Sequence, residues 1–176
     1  MSNFIYIAQS LDGYIADKDG GIDWLNEIPN PEDSDFGFGE FMNRIDAVVM
    51  GRKTFESVMG FDMWIYTKPV YVVSASHKRL PEKYRDKAEI LNLRPAQIIE
   101  KLKIEGRENL YIDGGALIQG FLAEDLIDEL IITTIPILLG GGISLFGKLQ
   151  NSLKFRHVKT EVLIDSMVKS YYQRER

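Results

Sequence analysis

The sequence MGRKTFES, residues Met50–Ser57, follows an apolar run and contains the feature that decides the fold. An apolar run, a glycine, two cations, a threonine and an aromatic residue predict a strand that turns directly into a helix. Gly51 has no Cβ, so the backbone there can approach a ligand closely. The Thr54 hydroxyl and the free N–H groups of the first helical turn then lie beside Arg52 and Lys53, which suits a phosphate. The alternative is an ordinary strand–helix corner with two solvated cations.

Five segments, in the same order along the chain, resemble the dihydrofolate reductase superfamily. The Gly-Arg-x-Thr-aromatic-Glu segment that starts at Gly51 is similar to the junction between that superfamily's second strand and the following helix. The other four are Ile7–Ala16 (IAQSLDGYIA), Asp35–Met42, Leu110–Leu122 (LYIDGGALIQGFL) and Leu130–Phe146 (LIITTIPILLGGGISLF). Because the resemblance covers most of the chain, the chain is identified from its sequence as a member of this superfamily.

The composition is typical of one globular domain, residues 1–176. The chain has 176 residues, of which 45% are hydrophobic, and a mean hydropathy of −0.13; this length allows a sizeable core. No apolar stretch reaches the roughly 18 residues that cross a bilayer, and no basic segment precedes the first apolar run, so we expect neither membrane association nor a secretory signal. The net charge of −5 argues against nucleic-acid binding, which needs a basic surface.

The chain contains no cysteine. Disulfides, thiolate nucleophiles and cysteine-based zinc sites are therefore excluded. His77 and His157 are far apart in sequence, so we expect no metal site. A cysteine-free chain is compatible with the reducing cytoplasm, where we expect this protein to act.

The order of apolar and helical segments predicts an α/β fold. The predicted strands are 4–8, 47–50, 70–74, 89–93, 109–113, 128–138, 155–164 and 167–174, and the predicted helices are 35–45, 54–58, 96–103 and 116–123. Strands separated by helices indicate parallel crossovers, and two consecutive strands at the end indicate an antiparallel pair. We expect a single domain in three layers, with helices flanking a mixed, mainly parallel eight-stranded sheet. The resemblance implies the same fold.

Ligands of open α/β sheets bind at the carboxyl ends of the strands. Two strand–glycine–helix junctions, Gly51–Thr54 and Gly114–Ala116, are predicted there, and two helix N-termini at one crevice could hold the phosphates of a dinucleotide. Neither is a complete GxGxxG, which argues against a Rossmann domain. The resemblance implies that NADPH is the cofactor. The residues it implies for cofactor binding are Ala8, Ile15, Ala16, Gly51, Arg52, Lys53, Thr54, Ser74, Gly114, Gly115 and Ala116.

The two ends of the cofactor are implied to lie in different places. Ser74 matches a position near the 2′-phosphate, and Lys78 and Arg79 follow it and could add charge there, or simply form a polar loop. The nicotinamide end is implied to lie against Ala8 and Ile15–Ala16, where simple packing is the alternative. Cations near the 2′-phosphate favour NADPH over NADH.

Asp35 is the predicted catalytic residue. It falls where folate reductases place an acidic residue on the substrate, and hydride addition to a C=N bond is completed by a proton. A helix cap is the alternative role for Asp35, and Glu40 is the alternative acid. The resemblance implies that Asp35, Phe36 and Thr133 bind the substrate, Thr133 lying near the position that supports the acid.

Two departures from the pattern argue against folate as the substrate. Folate reductases have an arginine before the third strand that binds the glutamate carboxylate of folate, and here Thr67 occupies that place. Threonine cannot form such a bidentate ion pair. One turn after Asp35, where an aromatic residue commonly contacts the substrate, the chain has Gly39.

The C-terminal half favours a different branch of the superfamily. Ile135–Phe146 is similar to the reductase domain of the bifunctional riboflavin-biosynthesis deaminase–reductase, and the chain lacks the cysteines of the deaminase zinc site. Gly140–Gly142 could bring N–H groups to a phosphate or form a turn. The resemblance implies an NADPH-dependent reductase acting on a C=N or C=O group of a small heterocyclic substrate. A true folate reductase and a non-catalytic nucleotide-binding module are the alternatives. Because relatives often dimerise, we expect a homodimer.

Overall fold

A sheet of eight strands runs through the structure, a computed structural model that describes residues 1–60, 64–76 and 79–176. The elements in chain order are β1 (Ser2–Ser10), β2 (Tyr14–Ala16), α1 (Phe38–Asn43), β3 (Ala47–Gly51), α2 (Arg52–Met59), β4 (Val70–Val73), β5 (Ala88–Leu91), α3 (Pro95–Ile104), β6 (Asn109–Asp113), α4 (Gly115–Ala123), β7 (Glu129–Ile135), β8 (Ile143–Ser144), β9 (Phe155–Leu163) and β10 (Met167–Arg174), with 3₁₀ turns at Asp23–Leu25 and Glu82–Tyr84. None of the helices within these described ranges is long and apolar enough to cross a membrane.

The order of the main sheet is β5-β4-β3-β6-β1-β7-β10-β9. The six strands from β5 to β7 are parallel, whereas β10 runs antiparallel to both of its neighbours. All eight predicted strands occur, and the mixed, mainly parallel sheet with antiparallel C-terminal strands is confirmed. The carboxyl ends of β1, β3, β4, β6 and β7 therefore share one edge of the sheet, where a ligand site is expected.

Helices cover both faces of the sheet, as predicted. α3 and α4 bury Ile98, Leu102, Ile118 and Phe121 against one face, and α1 and α2 pack their phenylalanines against the other. The central strands are continuous apolar runs because parallel strands are covered on both sides. Each fully buried side chain of this size contributes about 1.5–3 kcal/mol, so the sheet is a rigid base for the site at its edge.

The helix predicted over 35–45 is shorter in the structure, Phe38–Asn43. Phe36 and Gly37 precede it with φ of 52° and 84°, and residues in this left-handed region cannot continue a right-handed helix. Asp35 consequently lies outside the helix, on the turn that leads into it.

A small second sheet, β2 paired with β8, was not predicted. It joins the loop after β1 to the glycine run after β7, and a Cβ on Gly142 would overlap the carbonyl oxygen of Ala16. The carboxylate of Asp12 accepts hydrogen bonds from the N–H groups of Leu139 (3.1 Å) and Gly140 (2.8 Å). Of the two roles considered for Gly140–Gly142, these contacts fit the turn, since the Gly140 N–H is already used.

Candidate functional site

The two predicted strand–glycine–helix junctions meet in space. β3 and β6 are neighbouring parallel strands, with Met50 paired to Asp113, so Gly51 and Gly114 follow side by side. A Cβ on Gly114 would overlap the hydroxyl oxygen of Thr54 and lie 3.6 Å from the Gly51 nitrogen. Glycine, with its φ of 95°, leaves this space to the Thr54 hydroxyl. The N-termini of α2 and α4 therefore open at one crevice, with the dipole orientation that favours an anion.

The first turn of α2 carries two cations, Arg52 and Lys53. Arg52 is half exposed and forms an ion pair of 2.6 Å with Glu56, one turn along the helix. Lys53 is exposed, and Gly51 is open: no atom lies within 4 Å of a Cβ built on it. The backbone at Gly51 is thus accessible to a ligand, as predicted from the absence of a side chain.

A cavity of 340 Å³ lies beside α2. Arg52 and Arg79 contribute to its walls, and its remaining lining is mainly apolar. The predicted residue Ser74 directly follows β4, is buried, and donates its N–H to the Leu91 carbonyl (2.9 Å). Arg79 thus borders a space next to the crevice, whereas Lys78 lies outside the described residues.

The residues predicted for the nicotinamide end lie on β1 and β2. Ile15 reaches the N-terminus of α4, since its Cδ1 would be 2.8 Å from a Cβ on Gly115. Ala16 is buried and pairs with Ile143, and Ala8 packs in a cluster with Trp24 and Phe36, among others. Ala116, in the first turn of α4, is exposed. The structure thus brings Ile15 to the glycine junction, and Ala8 and the predicted substrate residue Phe36 pack against the same buried cluster.

Asp35 lies two residues before Gly37, which is the N-cap of α1, and its side chain nevertheless bonds N–H groups at the start of the helix. Its two carboxylate oxygens accept hydrogen bonds from the N–H groups of Gly37 (2.8 Å) and Gly39 (2.9 Å). These bonds, the one from Gly39 first, lower the pKa of Asp35, so at neutral pH it is an ionised acceptor. Its side chain is exposed. The catalytic assignment of Asp35 stays a prediction; the geometry suits orienting a substrate better than donating a proton.

Thr133 lies in the sheet between the predicted cofactor and substrate residues. It is buried on β7, where it pairs with Ala8 of β1 on one side and Lys169 of β10 on the other. Of the three predicted substrate residues, Thr133 is therefore the strand neighbour of Ala8, and Phe36 packs against the same buried cluster as Ala8.

Asp113 is an acidic residue beside the Gly114 junction that was not predicted from the sequence. It ends β6, immediately before Gly114, and the hydroxyl groups of Tyr66 and Tyr111 face it. Burial raises the pKa of Asp113 to about 6, although the Gly114 N–H and the two facing tyrosine hydroxyls oppose the rise. A pKa near neutrality suits a proton donor. The available signal was its position, the last residue of an apolar strand before a glycine pair.

The described residues contain no group of three or more His, Asp or Glu side chains that could hold a metal ion. His77 falls outside the described residues, and the His157 ring nitrogen Nε2 hydrogen-bonds the Thr160 hydroxyl at 2.7 Å. Thr67, which replaces the folate-binding arginine, is exposed.

The chain is similar to known proteins over almost its whole length. The model of the family described as RibD C-terminal domain matches residues 4–169. The protein YwjB of Bacillus subtilis (strain 168) is 42% identical over 156 residues, which are 86% of each chain. A solved structure from Shewanella sp. PV-4, whose name assigns it provisionally to riboflavin biosynthesis, is 50% identical, with a TM-score of 0.96 over 100% of both chains.

Two more distant solved structures share the fold. The diaminohydroxyphosphoribosylaminopyrimidine deaminase/5-amino-6-(5-phosphoribosylamino)uracil reductase of Thermotoga maritima is 17% identical, with a TM-score of 0.74 over 98% of this chain and 56% of that one. Dihydrofolate reductase from Enterococcus faecalis, in complex with NADP(H), is 16% identical, with a TM-score of 0.71 over 99% of this chain and 97% of that one. With the family match, these structures confirm the predicted superfamily and its riboflavin-reductase-like branch.

Proposed function

Because the chain belongs to the family of RibD C-terminal domains, we propose that it is an NADPH-dependent reductase of a small heterocyclic substrate. The reaction would be hydride transfer to a C=N or C=O group, in a substrate resembling the 5-amino-6-(5-phosphoribosylamino)uracil named for the Thermotoga maritima enzyme. The observation that carries the proposal is the close approach of the Gly51 and Gly114 junctions, where the absence of a Cβ on Gly114 leaves room for the Thr54 hydroxyl beside both helix N-termini.

The residues around the crevice fit the phosphates of a dinucleotide. Free N–H groups at the N-termini of α2 and α4 would donate to the pyrophosphate, and the open backbone at Gly51 would allow close approach. The 340 Å³ cavity, with Arg52 and Arg79 in its lining, is suited to the adenosine end and its 2′-phosphate, since guanidinium groups bind phosphate in a bidentate manner. NADPH, when bound, would supply the hydride.

Asp113 is our candidate for the proton that completes the reduction. With a pKa of about 6, it would carry a proton in a useful fraction of molecules near neutral pH and could pass it to the nitrogen or oxygen that hydride addition leaves electron-rich. The ionised carboxylate of Asp35 would accept a hydrogen bond from the substrate and orient it. Phe36 and Thr133 would line the substrate position next to Ala8.

Gly51→Ala tests cofactor binding without disturbing the fold. A Cβ at Gly51 meets no atom within 4 Å, and its φ of −72° is ordinary for alanine, so the melting temperature should not change. A pyrophosphate against this backbone would collide with the new methyl group, and we expect the Kd for NADPH to rise at least about tenfold. Calorimetric titration measures it; an unchanged Kd would contradict a phosphate contact at Gly51.

An assay with dihydrofolate distinguishes a true folate reductase from the proposed function. Since Thr67 replaces the carboxylate-binding arginine and Gly39 replaces the aromatic wall, we expect no robust oxidation of NADPH with dihydrofolate. Assays with pteridines, pyrimidine ribosylamines and quinonoid compounds search for the substrate in the same format. Efficient turnover of dihydrofolate would favour the folate-reductase alternative, whereas NADPH binding with no turnover of any compound would favour a nucleotide-binding module.

The expected homodimer and cytoplasmic location are also part of the proposal. β9 is an edge strand, and Val162 and Val168, paired across β9 and β10, are 66% and 38% exposed. An apolar pair at a sheet edge is suited to a partner surface. Sedimentation of the purified chain measures its oligomeric state.

A further inference from the structure

Lys169 is a charged residue buried in the sheet. It lies on β10 with only 3% of its surface exposed, and across residues 1–60, 64–76 and 79–176 it is the sole charged residue in the buried class. In register it stands between Thr133 of β7 and Glu161 of β9. Burying an ammonium group is costly unless partners compensate it, so its contacts should explain why it is there.

The contacts of Lys169 converge on one backbone carbonyl. Its ammonium donates a hydrogen bond to the carbonyl oxygen of Phe36 and lies 5.6 Å from the ring centroid of Tyr6. The Tyr6 hydroxyl donates to the same carbonyl oxygen at 2.8 Å. Two donors from two strands, β10 and β1, therefore hold a single peptide group. We call the Tyr6 hydroxyl, the Lys169 ammonium and the Phe36 carbonyl the Phe36 clamp.

The clamped peptide belongs to a strained turn. Phe36 and Gly37 are consecutive residues in the left-handed region, and for phenylalanine this conformation is unfavourable. Such residues persist only where the surroundings over-determine them. A cavity of 580 Å³ borders the turn, with Phe36, Gly37 and Lys169 among its walls, so packing does not enclose the turn on every side. The two hydrogen bonds of the clamp supply the missing constraint.

The charges around the ammonium are consistent with this role. Burial lowers the pKa of Lys169, and the carboxylates of Glu161, Asp35 and Glu40 oppose this effect, while Lys159 adds to it. Glu161 lies 3.9 Å from the ammonium, and Asp35 belongs to the turn that is being held. The carboxylate of Asp35 thus helps to keep the Lys169 ammonium protonated, and this ammonium in turn holds the turn to which Asp35 belongs.

We propose that Lys169 is a positioning residue which, with Tyr6, fixes the Phe36 ring and the Asp35 carboxylate at the substrate position. Phe36 packs in the cluster that contains Ala8, where the nicotinamide is expected, and Asp35 begins the same turn. This inference rests on the proposed function, because it assumes that Phe36 and Asp35 face a reducible substrate. It predicts an effect on substrate binding and not on the cofactor.

Lys169→Met removes the ammonium and retains an unbranched side chain, and the loss of a buried charge should not prevent folding. We expect the KM for the reducible substrate to rise about tenfold, as for loss of a charged hydrogen bond, while the Kd for NADPH changes less than about twofold. Tyr6→Phe removes the second donor and should have a smaller effect. Because both donate to one carbonyl, the double variant should lose more than the sum of the single changes.

Lys154→Met is the matched control, because this exposed lysine directly precedes β9 of the same hairpin and does not line the 580 Å³ cavity. Its kinetic constants should equal those of the wild type. A general structural role for Lys169 would instead raise the KM and the NADPH Kd together and lower the melting temperature. That result, or a Lys169→Met variant with unchanged substrate kinetics, overturns the proposal.

Amide hydrogen exchange tests the clamp independently of any activity. The Gly37 and Gly39 N–H groups donate to Asp35, and they should exchange about tenfold faster in Lys169→Met than in the wild type. Unchanged exchange rules out the clamp. If the wild type neither bound nor oxidised NADPH, the proposed function would fail, while the exchange rates would still decide whether Lys169 holds the turn.

Discussion

Replacement of Gly114 by alanine is expected to weaken NADPH binding by at least about 100-fold, because the change introduces both backbone strain and a steric overlap. The φ of 95° at this position is strained for any side chain, by about 1–2 kcal/mol. The new Cβ would also overlap the Thr54 hydroxyl, and overpacking of this kind costs about 1–3 kcal/mol. Relief of the overlap must move Thr54 or separate the two junctions, so the phosphate-binding N–H groups lose their alignment. Fluorescence titration with NADPH measures the effect.

Gly106→Ala is the control for backbone strain. Gly106 has a similar φ of 74°, but no atom lies within 4 Å of its Cβ position, and it precedes β6, at the opposite end of that strand from the crevice. This variant should lose stability through strain alone and bind NADPH like the wild type. Wild-type affinity in Gly114→Ala would place the cofactor phosphates elsewhere.

Asp113→Asn is expected to lower kcat/KM for the reducible substrate by about 10²–10⁴, the usual contribution of a positioned proton donor. In the wild type, kcat/KM should be constant below the pKa of about 6 and fall about tenfold per pH unit above it, because only the protonated carboxyl can donate. The asparagine variant should lose this dependence. Steady-state rates from pH 5 to 9 provide the measurement.

The stability of the protein gives a second readout of the same group. The native carboxyl of Asp113 keeps its proton up to a pKa of about 6, whereas the ordinary value is 3.8. Between these values the native state binds more protons than the unfolded state, so the free energy of unfolding falls as the pH rises. Asp113→Asn should remove this fall in the free energy of unfolding.

Asp125→Asn is the control. The hydrogen bond from Arg174 lowers the pKa of Asp125, so Asp125 contributes stability that is lost as the pH falls. If Asp113→Asn keeps the wild-type pH dependence of kcat/KM, another group donates the proton; if it keeps the wild-type pH dependence of stability, the pKa of Asp113 is not raised in the native state.

The large elements could be predicted from the sequence for a simple reason. Parallel strands buried on both faces appear as continuous apolar runs, such as Ala47–Met50, and the glycines that follow β3 and β6 mark the turns into α2 and α4. The β2–β8 ribbon could not be predicted in this way, since its strands have three and two residues. The late start of α1 depends on the backbone conformation of Phe36 and Gly37, which their residue types do not determine.

The chemical properties of the candidate site residues were harder to predict from the sequence than the location of the site. The glycine junctions depend on local sequence, so their places at the ends of β3 and β6 could be predicted, whereas their role in cofactor binding stays a prediction. The raised pKa of Asp113 arises from burial beside Tyr66 and Tyr111, which come from different segments of the chain. Lys169 likewise acquires its contacts only when β10 pairs with β7. Neither the raised pKa of Asp113 nor the contacts of Lys169 can be predicted from residues adjacent in the sequence.

The link between Asp12 and the glycine run has a consequence for how this chain tolerates changes in length. Through Asp12 and the β2–β8 ribbon, the segments after β1 and after β7 are fastened to each other, although more than 120 positions separate them (Asp12 and Gly140 are 128 apart). An insertion or deletion in one segment would shift its pairing against the other, so it would need a matching change there. Relatives with a resized first loop should therefore also differ in the glycine run, and grafting either loop alone into another scaffold should fail.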